Sequence, residues 1–261
     1  FELSEYAEKV RFILDYKGLE YRKIEVTPGI GQIELFQMSG QRQVPVLKDD
    51  GEVIADSTAI ADHLEKKYPE KPLIPTDPKL KGLCLQMEQW ADDSLGLNSR
   101  RALVGAMSKN PTLRSAMLPN STPDLVKNLV GAIPGDVLNV LGLSVGMGPD
   151  TVKEAEDAIK RSLTALTFIL LEQPYLLGDT PTLADFAVAG LTMYIKFPTG
   201  SYLDIPSSLK GQGIPGIADV GTFEPFFTWR DRLYRDFRSI SLGGGDDDTP
   251  SASAPTAIAI D

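Results

Sequence analysis

The fold class this sequence predicts is a short α/β segment followed by an all-helical region, and three observations carry the prediction. First, residues up to about 75 alternate one helical period with short strand-like runs. Second, the apolar runs "VPVL" and "VIA" flank "DDGE". There Asp50-Gly51 supplies the positive φ angles that a tight hairpin turn needs. Third, beyond the proline-spaced stretch "KPLIPTDPKLKG" the strand signals largely vanish and long periodic segments take over.

In chain order, "SEYAEKVRFILDYKG" places Ala7, Val10, Ile13 and Leu14 on one helix face, with Ser4 as the N-cap and Gly18 as the stop. "YRKIEV" (21–26) reads as a strand, and residues 27–43, rich in glycine, read as loop with one helical turn. After the hairpin, Ser57 is expected to cap a helix in which Ile60, Leu64 and Tyr68 share a face and which Pro69 and Pro72 forbid from continuing. The runs "KGLCLQMEQWADDSLGLNSRRALVGAM" and "PDTVKEAEDAIKRSLTALTFILLEQ" read as helices, joined by a less regular middle piece from about 105 to 150. Thr182 and Asp185 have the spacing of a capping box, so the helix in "TPTLADFAVAGL" should start sharply. "FEPFFTWRDRLYRDFR" reads as a final helix covering the core, and the acidic, Pro/Ser-rich end as mobile unless its last apolar residues dock. The expected division is 1–75 for the α/β domain with a first strand missing upstream of Phe1, 76–84 for a linker and the start of the helical domain, 85–240 for the helical domain, and 241–261 for a flexible tail.

The 26 basic and 36 acidic side chains leave a net charge of −10. Such a surface repels nucleic-acid backbones and anionic lipid, so neither partner is expected. One cysteine, Cys84, excludes an internal disulfide, and a single histidine leaves no credible zinc site. No metal is expected, and a reducing cytoplasm fits best. Apolar runs such as 163–171 fall far short of the roughly 20 residues of a membrane span.

Three pieces in the same order, "S.YAEKVRFIL..KGL.Y", "QVPVL...G.VIADSTAI...L" and "LLGDTPTLADF", resemble the glutathione transferases. The resemblance covers most of the chain, and it is poor over about 105–150 and after 240. It implies a thioredoxin-like N-terminal domain that holds glutathione and an all-helical C-terminal domain that shapes the pocket for a second substrate. It also implies that the bond before Pro45 is cis, turning the backbone N–H and C=O of Val44 outward to pair with the tripeptide as an added strand. Asp56 and Ser57 match the family's acid-serine pair at a helix N-terminus, which would take the γ-glutamyl group, with Asp56 facing its ammonium. Gln43 matches a position that often contacts the ligand backbone.

The catalytic expectation falls on Ser4, which matches the serine-type members' contact to the glutathione sulfur. A thiol of pKa about 8.5 is only a few per cent thiolate at neutral pH; a donated hydroxyl and the positive helix end could lower that pKa by about two units. Glu5 departs from the proline or small residue common there, and a carboxylate beside the sulfur would oppose the thiolate unless it points away. Tyr6 does not align with the tyrosine of tyrosine-type members, and His63 reads as a surface or packing residue. Trp90, Arg100, Arg101 and Met107 are possible lining residues of the second pocket. The leading expectation is a cytoplasmic, homodimeric glutathione transferase acting on small, moderately apolar electrophiles. The alternatives are a non-catalytic interaction protein on the same fold and a zeta-like glutathione-dependent isomerase.

Overall fold

The computed structural model describes residues 3–24, 26, 30–118, 122–135, 137, 148–239 and 256–258. Helix α1 (Glu5–Lys17) runs from the Ser4 cap, whose hydroxyl accepts the Ala7 N–H, to Gly18 at φ 72°. That left-handed residue closes the helix on the carbonyls of Leu14 and Asp15. The predicted strand 21–26 is not one: its described residues join no ladder. A strand exists only through a hydrogen-bonded neighbour, and apolar alternation alone does not supply it.

The loop expected over 27–43 instead contains helix α2 (Ile30–Ser39), a correction to the sequence reading. Gly31 lies in its first turn, where no intrahelical bond of its N–H is at stake. Gly40 at φ 77° ends the helix, and Leu35 is 1% exposed against Val46 and its neighbours. Glycines that looked like loop punctuation are the two ends of an element.

Strands β1 (Val46–Asp49) and β2 (Glu52–Ala55) pair antiparallel, Val46 opposite Ala55 and Asp49 opposite Glu52, around the positive-φ residues Asp50 and Gly51. The outer edge of β1 is taken by β3 (Thr256–Ile258), giving the sheet order β2-β1-β3. Residues 256–258 of the tail thus pair with the sheet; residues 240–255 and 259–261 lie outside the described residues. Helix α3 (Ser57–Lys67) buries Ile60, Ala61 and Leu64 under the sheet. His63 is tied to the structure: its Nε2 lies 2.8 Å from the buried Asp49 carboxylate, which also accepts from Lys67 and Tyr68.

Helix α4 (Pro78–Trp90) passes through a π-helical segment (Ala91–Gly96) into α5 (Leu97–Lys109), followed by α6 (Pro111–Ala116) and α7 (Asp124–Ala132). Residues 138–147 of the irregular middle piece lie outside the described residues. Helices α8 (Pro149–Glu172), α9 (Leu183–Leu191) and α10 (Glu224–Phe237) complete the helical part. The capping box is present: Asp185 accepts from the Thr182 N–H and hydroxyl, both at 2.8 Å, and from the Leu176 N–H.

One hydrophobic core runs through both parts, from Leu3 and Phe12 to Phe186 and Tyr234. Helix α1 is its centre, packed between α3, α9 and α10. All nine residues of α9 are buried, and at Gly190 the backbone of Lys9 comes so close that an added Cβ would lie 2.7 Å from its nitrogen. Only glycine permits that approach. The Tyr194 hydroxyl donates to the Leu3 carbonyl at 2.7 Å, and Arg238 clasps Glu8 and Asp15 from the end of α10. The start of α1 is thus held by the helical part of the chain.

Candidate functional site

A cavity of about 900 Å³ opens where the head of α1 meets the hairpin, the head of α3 and the π-helical segment. Ser4, Gln43, Val44, Pro45, Asp56 and Ser57 all line it. Residues far apart in sequence are brought together because α1 and α3 both point their N-termini at this space. The Val44-Pro45 bond is cis, as the resemblance implies. Among the described residues, neither the N–H nor the C=O of Val44 makes a hydrogen bond. Gln43 is exposed, its carbonyl accepting from the Gln41 side chain at 3.2 Å.

Ser4 is 7% exposed, and its Oγ accepts the Ala7 N–H at 3.2 Å. No described residue accepts the hydroxyl proton. Capping uses a lone pair and leaves the donor free.

The N-cap of α3 is Asp56, not Ser57 as the sequence reading has it. The Asp56 carboxylate reaches forward to the N–H groups of Thr58 and Ala59 at 2.9 and 3.1 Å, so the hydroxyl one residue later is not needed for capping. Asp56 achieves this at φ 83°, a conformation that costs a non-glycine residue of order 1–3 kcal/mol. Ser57, 3% exposed, turns its Oγ toward Lys9 and Asp92, 3.5 Å from each.

Beneath Ser57 lies an ionic cluster that sequence reading missed. Lys9, wholly buried, holds Glu88 at 2.5 Å and Asp92 at 2.7 Å, with the Thr58 hydroxyl at 3.3 Å. Two carboxylates share one ammonium. Burial pushes the Asp92 carboxyl above its ordinary range, against the pull of Lys9. Its Oδ1 is buried without a hydrogen-bond partner among the described residues, and Asp92 lines the cavity. Asp92 sits in the π-helical segment, and such segments recur at functional sites.

Glu5, which the sequence leaves as an obstacle to thiolate formation, is 1% exposed and engaged elsewhere. Its Oε1 accepts from Arg100 Nε at 3.0 Å and Nη2 at 2.6 Å. Tyr6 donates its hydroxyl to the Asp92 carbonyl at 2.9 Å, and burial, reinforced by Glu5, pushes its pKa up to about 12. A phenol so committed is not available to a sulfur. Of the four residues suggested for the second pocket, Arg100 lines the cavity, whereas Trp90, Arg101 and Met107 do not. A partial signal for the cluster was present: Phe12 and Ile13, one turn after Lys9, lie on its side of the helix, where a buried charge must find partners.

Comparisons with known proteins bear on the family and the fold. The model of the glutathione S-transferase N-terminal domain matches residues 1–72, and that of the C-terminal domain matches residues 149–233. A glutathione S-transferase of Triticum aestivum is 38% identical over 85 residues, 33% of this chain and 39% of that protein. A maleylacetoacetate isomerase of Dictyostelium discoideum is 34% identical over 86 residues, 31% of this chain and 39% of that protein. The matched stretch therefore spans about two fifths of each curated relative. The crystal structure of a glutathione S-transferase from Rhodospirillum rubrum F11 superposes with a TM-score of 0.63 at 19% identity, covering 95% of this chain and 93% of that one, and so shares the fold. With the two domain models matched in chain order over more than half of the sequence, this chain belongs to the glutathione S-transferase superfamily.

Proposed function

We propose that the protein is a glutathione transferase of serine type, joining the glutathione thiolate to small electrophilic substrates. The observation that carries this reading is the convergence of six separately expected residues on one cavity, with an undonated Ser4 hydroxyl at the head of α1. Ser4 donates to the glutathione sulfur and, with the helix's positive end, favours the thiolate. Val44 offers its free N–H and C=O to the cysteinyl backbone, and Gln43 flanks it. Ser57, through its hydroxyl and its own N–H at the head of α3, takes the γ-glutamyl carboxylate. The γ-glutamyl ammonium sits between Asp56 and the unpartnered oxygen of Asp92, where a cation balances the net negative Lys9 cluster. The positive φ of Asp56 supports a role that outweighs its conformational cost.

In this reading residues 1–75 bind glutathione and residues 85–240 shape the second pocket. The protein works in the cytoplasm as a homodimer, without a metal. The likeness to a maleylacetoacetate isomerase favours one second reading, isomerisation with glutathione returned unchanged. Conjugation of a simple aryl halide, followed together with loss of free glutathione thiol, tests the proposal. Thiol consumed in step with halide release supports the transferase. Glutathione binding by calorimetry with no thiol consumed sinks it and leaves the isomerase, and no binding at all leaves a fold kept for interaction alone.

A further inference from the structure

Arg100 is the one cavity-lining cation placed beside Ser4 by an ion pair of its own, and the transferase reading does not use it. Its Nε–H and one Nη2–H point to the same Glu5 oxygen, at 3.0 and 2.6 Å. A guanidinium carries five N–H donors in a planar fork. Three donors therefore have no acceptor among the described residues, and two of them, one on Nη1 and one on Nη2, form the open Nη1/Nη2 edge. That edge has the spacing of a carboxylate's two oxygens. The Arg100 side chain is 46% exposed although its partner Glu5 is 1% exposed, so the pair is anchored at one end and open at the other. Its plane is fixed from below by the Tyr6 ring, 5.6 Å from the guanidinium carbon. Of the acids nearby, neither is paired with Arg100: Asp92 bonds Lys9 through Oδ2, and Asp93 accepts from the Gln89 amide at 2.5 Å.

Any guanidinium paired along its Nε/Nη2 side leaves the other edge open; what distinguishes Arg100 is that its anchor Glu5 is buried and that the side chain lines the cavity. We propose that the second substrate carries a carboxylate near its electrophilic centre and that Arg100, positioned by Glu5, binds it through the Nη1/Nη2 edge. This rests on the transferase reading of the same cavity, and it narrows the moderately apolar electrophiles expected from sequence to acidic ones.

The test separates the two ideas by measuring binding and turnover independently. S-(4-carboxy-2-nitrophenyl)glutathione and its 4-carbamoyl counterpart differ only in that one group is charged, and their affinities are measured by calorimetry. The parent should bind the acid at least about tenfold more tightly than the amide, the worth of a charge-assisted pair. In Glu5→Gln/Arg100→Gln, which removes both charges and leaves no buried carboxylate unpaired, the preference should fall to within about twofold. Arg100→Lys keeps the charge but not the two-pronged edge and should lose most of the preference. Equal affinities in the parent, or a preference that survives both variants, overturn the proposal. Turnover of 4-chloro-3-nitrobenzamide, corrected for its uncatalysed rate, reports on the transferase reading alone: its absence would sink that reading while the conjugate affinities still decide the role of Arg100.

Discussion

Replacing Ser4 by alanine removes one oxygen with two uses, and the two losses are separable. The cap loss concerns the Ala7 N–H, bonded to Oγ at 3.2 Å, and should lower stability by about 1 kcal/mol. The second loss is the proton that no described residue accepts, which in the transferase reading goes to the sulfur. Ser4 is 7% exposed, so that bond would form largely out of water. A charge-assisted hydrogen bond of about 1.5–3 kcal/mol corresponds to roughly one to two units of thiol pKa. With the thiol lowered by about two units, half of bound glutathione is thiolate near pH 6.5; without it, about 1% is. Conjugation by Ser4→Ala should therefore fall about fiftyfold near pH 6.5 but only by about a quarter near pH 9, where both forms are mostly ionised. The assay is a pH profile of kcat for an aryl halide, with the ultraviolet absorbance of the bound thiolate titrated alongside. A deficit that is constant across pH, or an unmoved thiolate titration, would remove Ser4 from thiol activation and leave it a helix cap.

Ser57→Ala should weaken glutathione binding by about 1–3 kcal/mol in calorimetry with little change in Tm, whereas Asp56→Ala should weaken binding and also lose the cap of α3, a further ~1 kcal/mol of stability in denaturant titration. Lys9→Met should destabilise the fold by about 3–5 kcal/mol by stranding Glu88 and Asp92; the stranded carboxyls would have raised pKa values, so the deficit measured by urea unfolding should shrink as pH is lowered toward about 5. Glu8 is a pH marker of the opposite sign: burial alone would raise its carboxyl, but Arg238 and Arg11 outweigh burial and hold it below its ordinary 4.5. Its stabilising contribution is present above the unfolded value and lost as pH falls through the folded one, so Arg238→Met should move the onset of acid unfolding, followed by circular dichroism, to higher pH.

What was legible in the sequence was what short stretches specify by themselves. Asp50-Gly51 dictates its turn, Gly18 its helix stop, and Thr182 with Asp185 its capping box, because each acts within a few residues. The cavity's six expected residues were reachable through a family pattern, since spacing alone leaves Ser57 a plain cap. Position 57 also shows the limit of local reasoning: serine and aspartate are both good caps, and tertiary demand decided which one served. The pairings missed join residues far apart in the chain, Lys9 to Asp92, Glu5 to Arg100, Arg238 to Glu8. No window holds both members of such a pair. The strand misread at 21–26 and the helix missed at 30–39 fail for a related reason. Alternation cannot supply a partner strand, and glycine counts do not distinguish a loop from an element with glycine at its ends.

The central position of α1 has a consequence for how the protein is made. Its apolar face is completed by α9, with the two backbones in contact at Gly190, and α9 lies far downstream. At about 5–20 residues per second of synthesis, roughly ten to thirty-five seconds separate the emergence of α1 from that of α9. Through that interval Phe12, Ile13 and Leu14, all wholly buried at the end, have no lasting cover. The α/β segment reads as a domain on paper, but on the ribosome it is a client waiting for its other half. Cellular yield should therefore depend on holdase chaperones and on the pace of translation through the middle of the message more than the finished protein's stability would suggest.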